Sequence, residues 1–242
     1  MTSTQITFDN LPNEQDSLCE VFIIESVTEH DGYVLFQQLK LLGGRPRYIP
    51  VRNLNDFKAA MVVFRMSNYR FLHISCHGDK SCSKVKIGKT WYFYESIADA
   101  FPCALKSRRV SFSACELGND DFTRALNSRN HWIHSITAPS KVVDSKIAAA
   151  YWVSFYTLCF QHPHIKGKQV SIASKPIEKI IETLNPVFGG DFYFAYSNTV
   201  KKCISSKQIC QDRWIKNQDI PYSSFKLDEV LGMTPITGNE KC

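Results

Sequence analysis

LCEVFII (Leu18–Ile24) is followed by helix-spaced apolar residues from Tyr33 to Leu42 and by the stop signal Gly43-Gly44, a strand and then a helix. This reading decides the fold, because it repeats outward along the chain. Arg47 to Val51 is a weaker strand, and Asn55 to Met66 is a helix with Phe57, Met61 and Phe64 on one face. YRFLHISC (Tyr69–Cys76) is a third strand. Strands alternating with helices are the mark of βαβ units and a parallel sheet.

Lys84 to Tyr94 reads as a hairpin turned near Gly88-Lys89, and Ile97 to Phe101 as a short helix. Val110 to Ala114 is a fourth strand, Asp121 to Asn127 a helix, and His131 to Ile136 a fifth strand. Ser145 to Phe160 is a strongly apolar helix that must be largely buried. Pro176 starts another helix, with Ile177, Ile180, Ile181 and Leu184 at i, i+3, i+4 and i+7. Phe192 to Tyr196 closes the sheet as a sixth strand. The expected architecture is α/β, a mainly parallel six-stranded sheet with helices on both faces. A domain over residues 1–198 is followed at 199–242 by a basic extension of helical character, packing on the domain or gating it.

The chain has 242 residues, 44% hydrophobic and 21% charged, which excludes a disordered or low-complexity protein and supplies enough apolar side chains for a core. Nine cysteines, at 19, 76, 82, 103, 115, 159, 203, 210 and 242, form no CxxC pair. An odd, unpaired set argues against a disulfide framework and for a reducing compartment. Residues 1–17 lack the basic and apolar regions of an export signal, and Ile147 to Phe160 is too short to span a bilayer, so the expected location is cytoplasmic, off the membrane. Charge is uneven: residues 1–39 hold seven acids and no Lys or Arg, leaving residues 40–242 with 29 basic against 16 acidic groups, a formal +13. The basic residues are scattered and no GxxxxGK[ST] or GxGxxG loop is present, so a solvated face is expected rather than a nucleic-acid partner.

In open parallel sheets, functional groups collect beyond the carboxyl ends of the strands. Two strands end there in reactive side chains: the third in Ser75-Cys76-His77-Gly78-Asp79, the fourth in Ser113-Ala114-Cys115-Glu116-Leu117-Gly118. Neighbouring strands lie about 4.8 Å apart, which brings an imidazole and a thiol face to face. A thiolate is a nucleophile, and His77 assists the thiol and protonates a leaving amine. Gly78, with no Cβ, lets its N–H approach a substrate and, with that of Cys115, stabilise an oxyanion. His73, two alternations before His77, reads as a buried, hydrogen-bonded support. His73, Cys76, His77, Cys82, His162 and His164 make no recognised zinc spacing, and no metal or cofactor is expected.

LHISCHGD (Leu72–Asp79) and VSFSACELG (Val110–Gly118), separated by a hairpin and a short helix, resemble the HG and SAC motifs of the CHAT peptidases, caspase-like relatives of separase. The resemblance covers the core from about Leu18 to Tyr196. It implies a caspase-like three-layer fold and a cysteine endopeptidase in which His77 matches the catalytic histidine, Cys115 the nucleophile and Gly78 the oxyanion glycine. In the family an acidic residue before a helix ending in Phe-Tyr helps bind a basic substrate side chain. Asp144 stands in a similar place, although Thr137-Ala138-Pro139 replace the family's Trp, and it equally occupies a helix N-cap position. Glu116 matches the family pattern after the nucleophile, where it orients His77, contacts substrate or faces solvent. The resemblance also implies a protein substrate and a setting in prokaryotic defence or cell death, where such proteases release a pore-forming or toxic effector; with no evident sensor or repeat domain in the sequence, timing is expected from a separate activating protein, from self-cleavage or from an effector encoded elsewhere. The alternative is a catalytically silent caspase-like interaction module, which needs neither His77 nor Cys115.

Overall fold

The computed structural model describes residues 21–102, 105, 108–130, 133–161, 174–210, 213–217 and 219–225. The first apolar run, of which residues 18–20 lie outside those described, forms β1 (Val21–Glu25), followed by α1 (Asp31–Leu41), β2 (Arg47–Pro50), α2 (Leu54–Met66) and β3 (Phe71–Ser75). The hairpin region contains β4 (His77–Asp79), β5 (Lys84–Ile87) and β6 (Thr90–Phe93), and α3 (Tyr94–Ala98) follows directly. β7 (Arg109–Ser113), α4 (Asp120–Asn130), β8 (Ser135–Pro139), α5 (Ser145–Gln161) and α6 (Ser174–Phe188) complete the alternation. The last strands are β9 (Phe192–Asn198), β10 (Cys203–Cys210), β11 (Arg213–Lys216) and β12 (Ile220–Pro221).

β1, β3, β7 and β8 are buried along their whole length, the condition of strands covered on both faces. Alternate side chains serve two cores. Phe22, Ile24, Leu72 and Ile74 pack with Phe57, Met61 and Phe64 of α2, with α3 and with Phe122 and Leu126 of α4. Val21, Ile23 and Phe71 face the other way, onto Leu35 and Leu39 of α1 and onto α5 and α6. This makes a three-layer α/β arrangement. The apolar helix expected near residues 145–160 earns its burial on the second face, where the Tyr151 ring stacks on Phe192 of β9 at 3.7 Å between centroids. Among the described residues no helix is long and apolar enough to cross a membrane.

The sheet departs from expectation in size and direction. Among the described residues it has nine strands where six were expected, in the order β11-β10-β9-β8-β7-β3-β1-β2, with β12 pairing β10. β2, β1, β3, β7 and β8 are parallel, whereas β9 runs antiparallel to β8 and β10, and β11 and β12 also pair with β10 antiparallel. β9 therefore does not close the sheet. The segment expected to be helical after Asn198 instead supplies three strands to the same sheet. Cys203 to Ser206 are buried in an unbroken run, and Ile209 joins the core under α6, a burial that the basic composition of the segment hides. The Asp120 carboxylate fastens this end: Oδ1 accepts from Tyr193 Oη at 2.9 Å, Ser206 Oγ at 2.8 Å and Asn217 Nδ2 at 3.3 Å.

β4, β5 and β6 form a separate three-stranded antiparallel sheet beside the carboxyl end of β3. Its turn falls at Gly88-Lys89 as the sequence predicts. Gly88 has φ +62°, and an added Cβ would meet the Arg52 carbonyl oxygen at 1.8 Å, so the tip fits only glycine.

Candidate active site

The strand order fixes where a cleft must lie. From β1 the chain crosses to β2 on one side, and from β3 it crosses to β7 on the other, so the loops leaving β1 and β3 diverge and open a crevice between them. A cavity of about 230 Å³ occupies this place. It is lined by Val27, Glu29 and Asp31 after β1, Cys76 and His77 after β3, and Ser113 to Cys115 at the end of β7, with Pro139, Val143, Ser145 and Ala148 completing the wall.

Parallel pairing of Ser75 with Ser113 puts the two motifs at the same height on adjacent strands, and the Cys76 N–H donates to the Ser113 carbonyl at 3.2 Å. The register thus brings His77 and Cys115 to one cavity, as the motif spacing predicts. Both are half-buried rather than sealed in the core. Gly78 joins them by close approach: a Cβ there would lie 2.2 Å from the Cys115 carbonyl oxygen and 2.7 Å from Leu117 Cγ. The backbone turns sharply after the thiol, with Glu116 at φ +58°. That left-handed residue is held by its N–H to the Lys141 carbonyl at 3.2 Å and by Asn119 Nδ2 to its own carbonyl at 2.8 Å. Gly118 N–H donates to the Pro139 carbonyl at 2.8 Å, so the loop carrying Cys115 is tied to the end of β8.

The Cys115 thiol lies against the backbone of Val143, accepting from its N–H at 3.4 Å and donating to its carbonyl at 3.6 Å. These two contacts hold the sulfur at the mouth of the cavity, beside the end of β8. On the opposite wall, His77 Nε2 lies 3.7 Å from Glu29 Oε2, with both side chains about 40% exposed. Partial burial pulls the Glu29 carboxyl up, but its own backbone N–H, the His77 imidazole and Thr28 outweigh this and leave it below the ordinary value.

Asp31 is the buried acid of the cavity. Its Oδ2 accepts from Ser113 Oγ, and it has no cationic partner among the described residues. Desolvation raises its carboxyl pKa, and the charge of Glu25 raises it further, although hydrogen bonds from Ser113, Gly32 and Ser75 oppose both. Glu25 is occupied elsewhere: Oε1 accepts from the Gly32 N–H at 2.8 Å at the start of α1, and Oε2 accepts from Tyr48 Oη. A buried carboxylate without a cation beside it carries an uncompensated desolvation cost, which is the physical cause of the raised value.

The two proposed substrate contacts lie elsewhere. Asp144 is exposed, does not line the cavity, and spends its Oδ1 on the Lys146 N–H at 2.8 Å at the start of α5, which is capping. Glu116 likewise does not line the cavity; its backbone, not its carboxylate, shapes the loop. The residues the sequence reading overlooked are Glu29 and Asp31. The signal was VTEHD directly after the first strand, but it was absorbed into the acidic bias of residues 1–39. His73 is a support: fully buried, with its ring between Ser75 Oγ at 3.3 Å and Tyr156 Oη at 3.4 Å, its pKa pushed down to about 3 by burial. Burial pushes the Cys76 thiol well above its ordinary value, so beside Cys115 it is the inert thiol of the two. Among the described residues no group of three or more His, Cys, Asp or Glu side chains is placed to hold a metal; His162 and His164 lie outside those residues.

The chain matches no protein-family model and no curated protein.

Proposed function

We propose that the chain is a cysteine endopeptidase of the CHAT type, with a caspase-like fold and a Cys115–His77 dyad. The observation that carries this reading is the convergence of the Cys115 thiol, the His77 imidazole and the unpaired Asp31 carboxylate on one cavity at the ends of two adjacent parallel strands. His77 takes the thiol proton as Cys115 Sγ attacks the peptide carbonyl carbon, and the carbonyl electron pair moves onto oxygen, stabilised by the N–H groups of Gly78 and Cys115. Collapse of this intermediate breaks the C–N bond while His77 returns the proton to the departing amine. Water, deprotonated by His77, then attacks the thioester. The acid is released, and Cys115 leaves as the thiolate and recovers its proton.

Cleavage follows a basic residue, with Asp31 in place of Asp144 as the acid that binds it. A guanidinium or ammonium entering the cavity supplies the charge that the buried carboxylate lacks. The enzyme works in the cytoplasm, is switched on by a separate partner and, in the setting the resemblance implies, cuts a protein such as a pore-forming or toxic effector in prokaryotic antiviral defence. A fluorogenic library with Arg, Lys or neutral residues before the scissile bond tests the chemistry. Wild type is expected to cleave the basic set and Cys115→Ala none. Equal cleavage by the two removes Cys115 as nucleophile, and protein–protein binding with no cleavage under any activator favours the silent interaction module.

A further inference from the structure

The small sheet beside the cavity has a face that the chemistry above does not use. In β5 the side chains alternate: Val85 and Ile87 enter the core, and Lys84 and Lys86 point away from it. Antiparallel register aligns His77, Lys86 and Trp91 in one row across the three strands, and Asp79, Lys84 and Phe93 in the next. Directly opposed residues project on the same side, so this face begins at the imidazole of the cavity and runs outward from it.

Its composition suits a negatively charged chain. Trp91 and Phe93 are 42% and 56% exposed, an unusual use of large aromatic side chains. Lys84 Nζ lies 4.7 Å from the Phe93 ring centroid and Lys86 Nζ 5.9 Å from that of Trp91. Neither ammonium has an ion-pair partner among the described residues. Asp79, the one acid in these rows, is engaged by Ser81 Oγ at 2.6 Å and the Cys82 N–H at 3.1 Å. Exposed Lys89 at the turn adds to the positive charge. Among the described residues β6 pairs with β5 alone, which leaves its outer edge for an added strand.

We propose that the outer face of β4–β5–β6 docks an acidic, extended segment of the protein substrate, on the C-terminal side of the scissile bond. The side follows from the peptidase reading, on which this inference rests: His77 hands its proton to the departing amine, so the chain beyond that amine leaves past His77 and onto β5 and β6. Alternate carboxylates meet Lys84 and Lys86, their methylene stems lie along Trp91 and Phe93, and the side chains between them point away from the face.

The test uses the full-length Cys115→Ala variant and three fluorescein-labelled decapeptides, alternating Leu with Glu, Gln or Lys, read by fluorescence anisotropy. The Glu peptide is expected to bind about fivefold to tenfold more tightly than the Gln peptide, the yield of two solvent-exposed ion pairs, and to lose this margin as salt is raised. Lys84→Glu/Lys86→Glu, verified as folded by its melting temperature, is expected to reverse the preference. Equal binding of the three peptides, or a preference untouched by the charge reversal, overturns the proposal. A second arm compares kcat/KM for basic-site substrates carrying Glu or Gln after the cleavage point. Cleavage indifferent to those residues overturns the docking surface and leaves the peptidase standing; charge-selective binding with no cleavage under any activator upholds the surface and removes the peptidase.

Discussion

Replacing Gly78 with alanine tests the closest approach in the site. The added methyl would stand 2.2 Å from the Cys115 carbonyl oxygen, about 0.8 Å inside the 3.0 Å that real Cβ atoms keep, and 2.7 and 3.0 Å from two carbons of Leu117. The carbonyl and the fully buried Leu117 belong to a loop pinned to Lys141 and Pro139, so they do not yield easily. β4 must move instead, carrying His77 and the Gly78 N–H with it. Overpacking of this kind costs about 1–3 kcal/mol, which for a domain of this size lowers Tm by roughly 2–12 °C. The chemical consequence is larger, since a displacement near 1 Å between reacting groups costs about 10²-fold in rate. Differential scanning fluorimetry and kcat/KM on the best basic-site peptide, measured 20 °C or more below the variant's own Tm (roughly the margin that keeps unfolding out of the rate), separate the two effects. A Gly78→Ala protein with unchanged Tm and unchanged kcat/KM would refute the claim that the two strand ends pack in the functional geometry.

Glu29→Gln is expected to lower kcat/KM about twofold to fivefold with little change in Tm, because its contact with His77 is exposed; high salt should mimic it on the wild type, and full activity in the variant dismisses Glu29 as a positioning residue. Asp31 has a raised carboxyl pKa in the folded state, so its contribution to stability is complete below the ordinary carboxylate range and is lost as pH rises through the raised value. Asp31→Asn should therefore melt higher than wild type at neutral pH, lose that advantage in acid, and give up the preference for basic substrates; a lower Tm at pH 7 contradicts this. Burial pushes the His73 pKa down from 6.5 to about 3, so stability falls as pH drops through that window, by about 5 kcal/mol if the whole window is crossed. His73→Gln should flatten the acid limb of the Tm–pH profile, and an identical profile would be inconsistent with a buried neutral imidazole. Asp120→Ala removes the acceptor of three hydrogen bonds and is expected to cost about 2–4 kcal/mol, with amide protection lost first in β10 and β11; unchanged exchange there would show that Asp120 does not fasten those strands.

Much of the architecture was legible because it is written in short periods. Period-two and 3.6-residue patterns, the Gly88-Lys89 turn and the apolar run at 145–160 concern residues a few positions apart, and each appears as expected. The meeting of His77 and Cys115 was legible for a similar reason: both immediately follow core strands, and parallel neighbours with matched register hold their ends level. β8 was displaced from its expected range of 131–136 to Ser135–Pro139, with residues 131 and 132 outside those described. β10 and β11 were missed because the basic composition of the segment hides its buried residues; Lys207 there pairs with Glu178 at 3.0 Å and Trp214 Nε1 donates to Glu182 at 2.6 Å, both partners being on α6.

The sequence by itself determined an α/β chain with a thiol and an imidazole at the ends of two core strands, since local periodicity and residue chemistry suffice for that. Only the tertiary structure decided that β9 runs antiparallel and that the sheet continues past it, because strand direction depends on which distant surfaces are buried together. It also decided which of two acids lines the cavity. Asp31 and Asp144 both stand at the start of a helix, and nothing in their neighbours along the chain separates them. The divergence of the β1 and β3 loops turns Asp31 inward, where Ser113 meets it, and leaves Asp144 in solvent, its Oδ1 capping the first turn of α5.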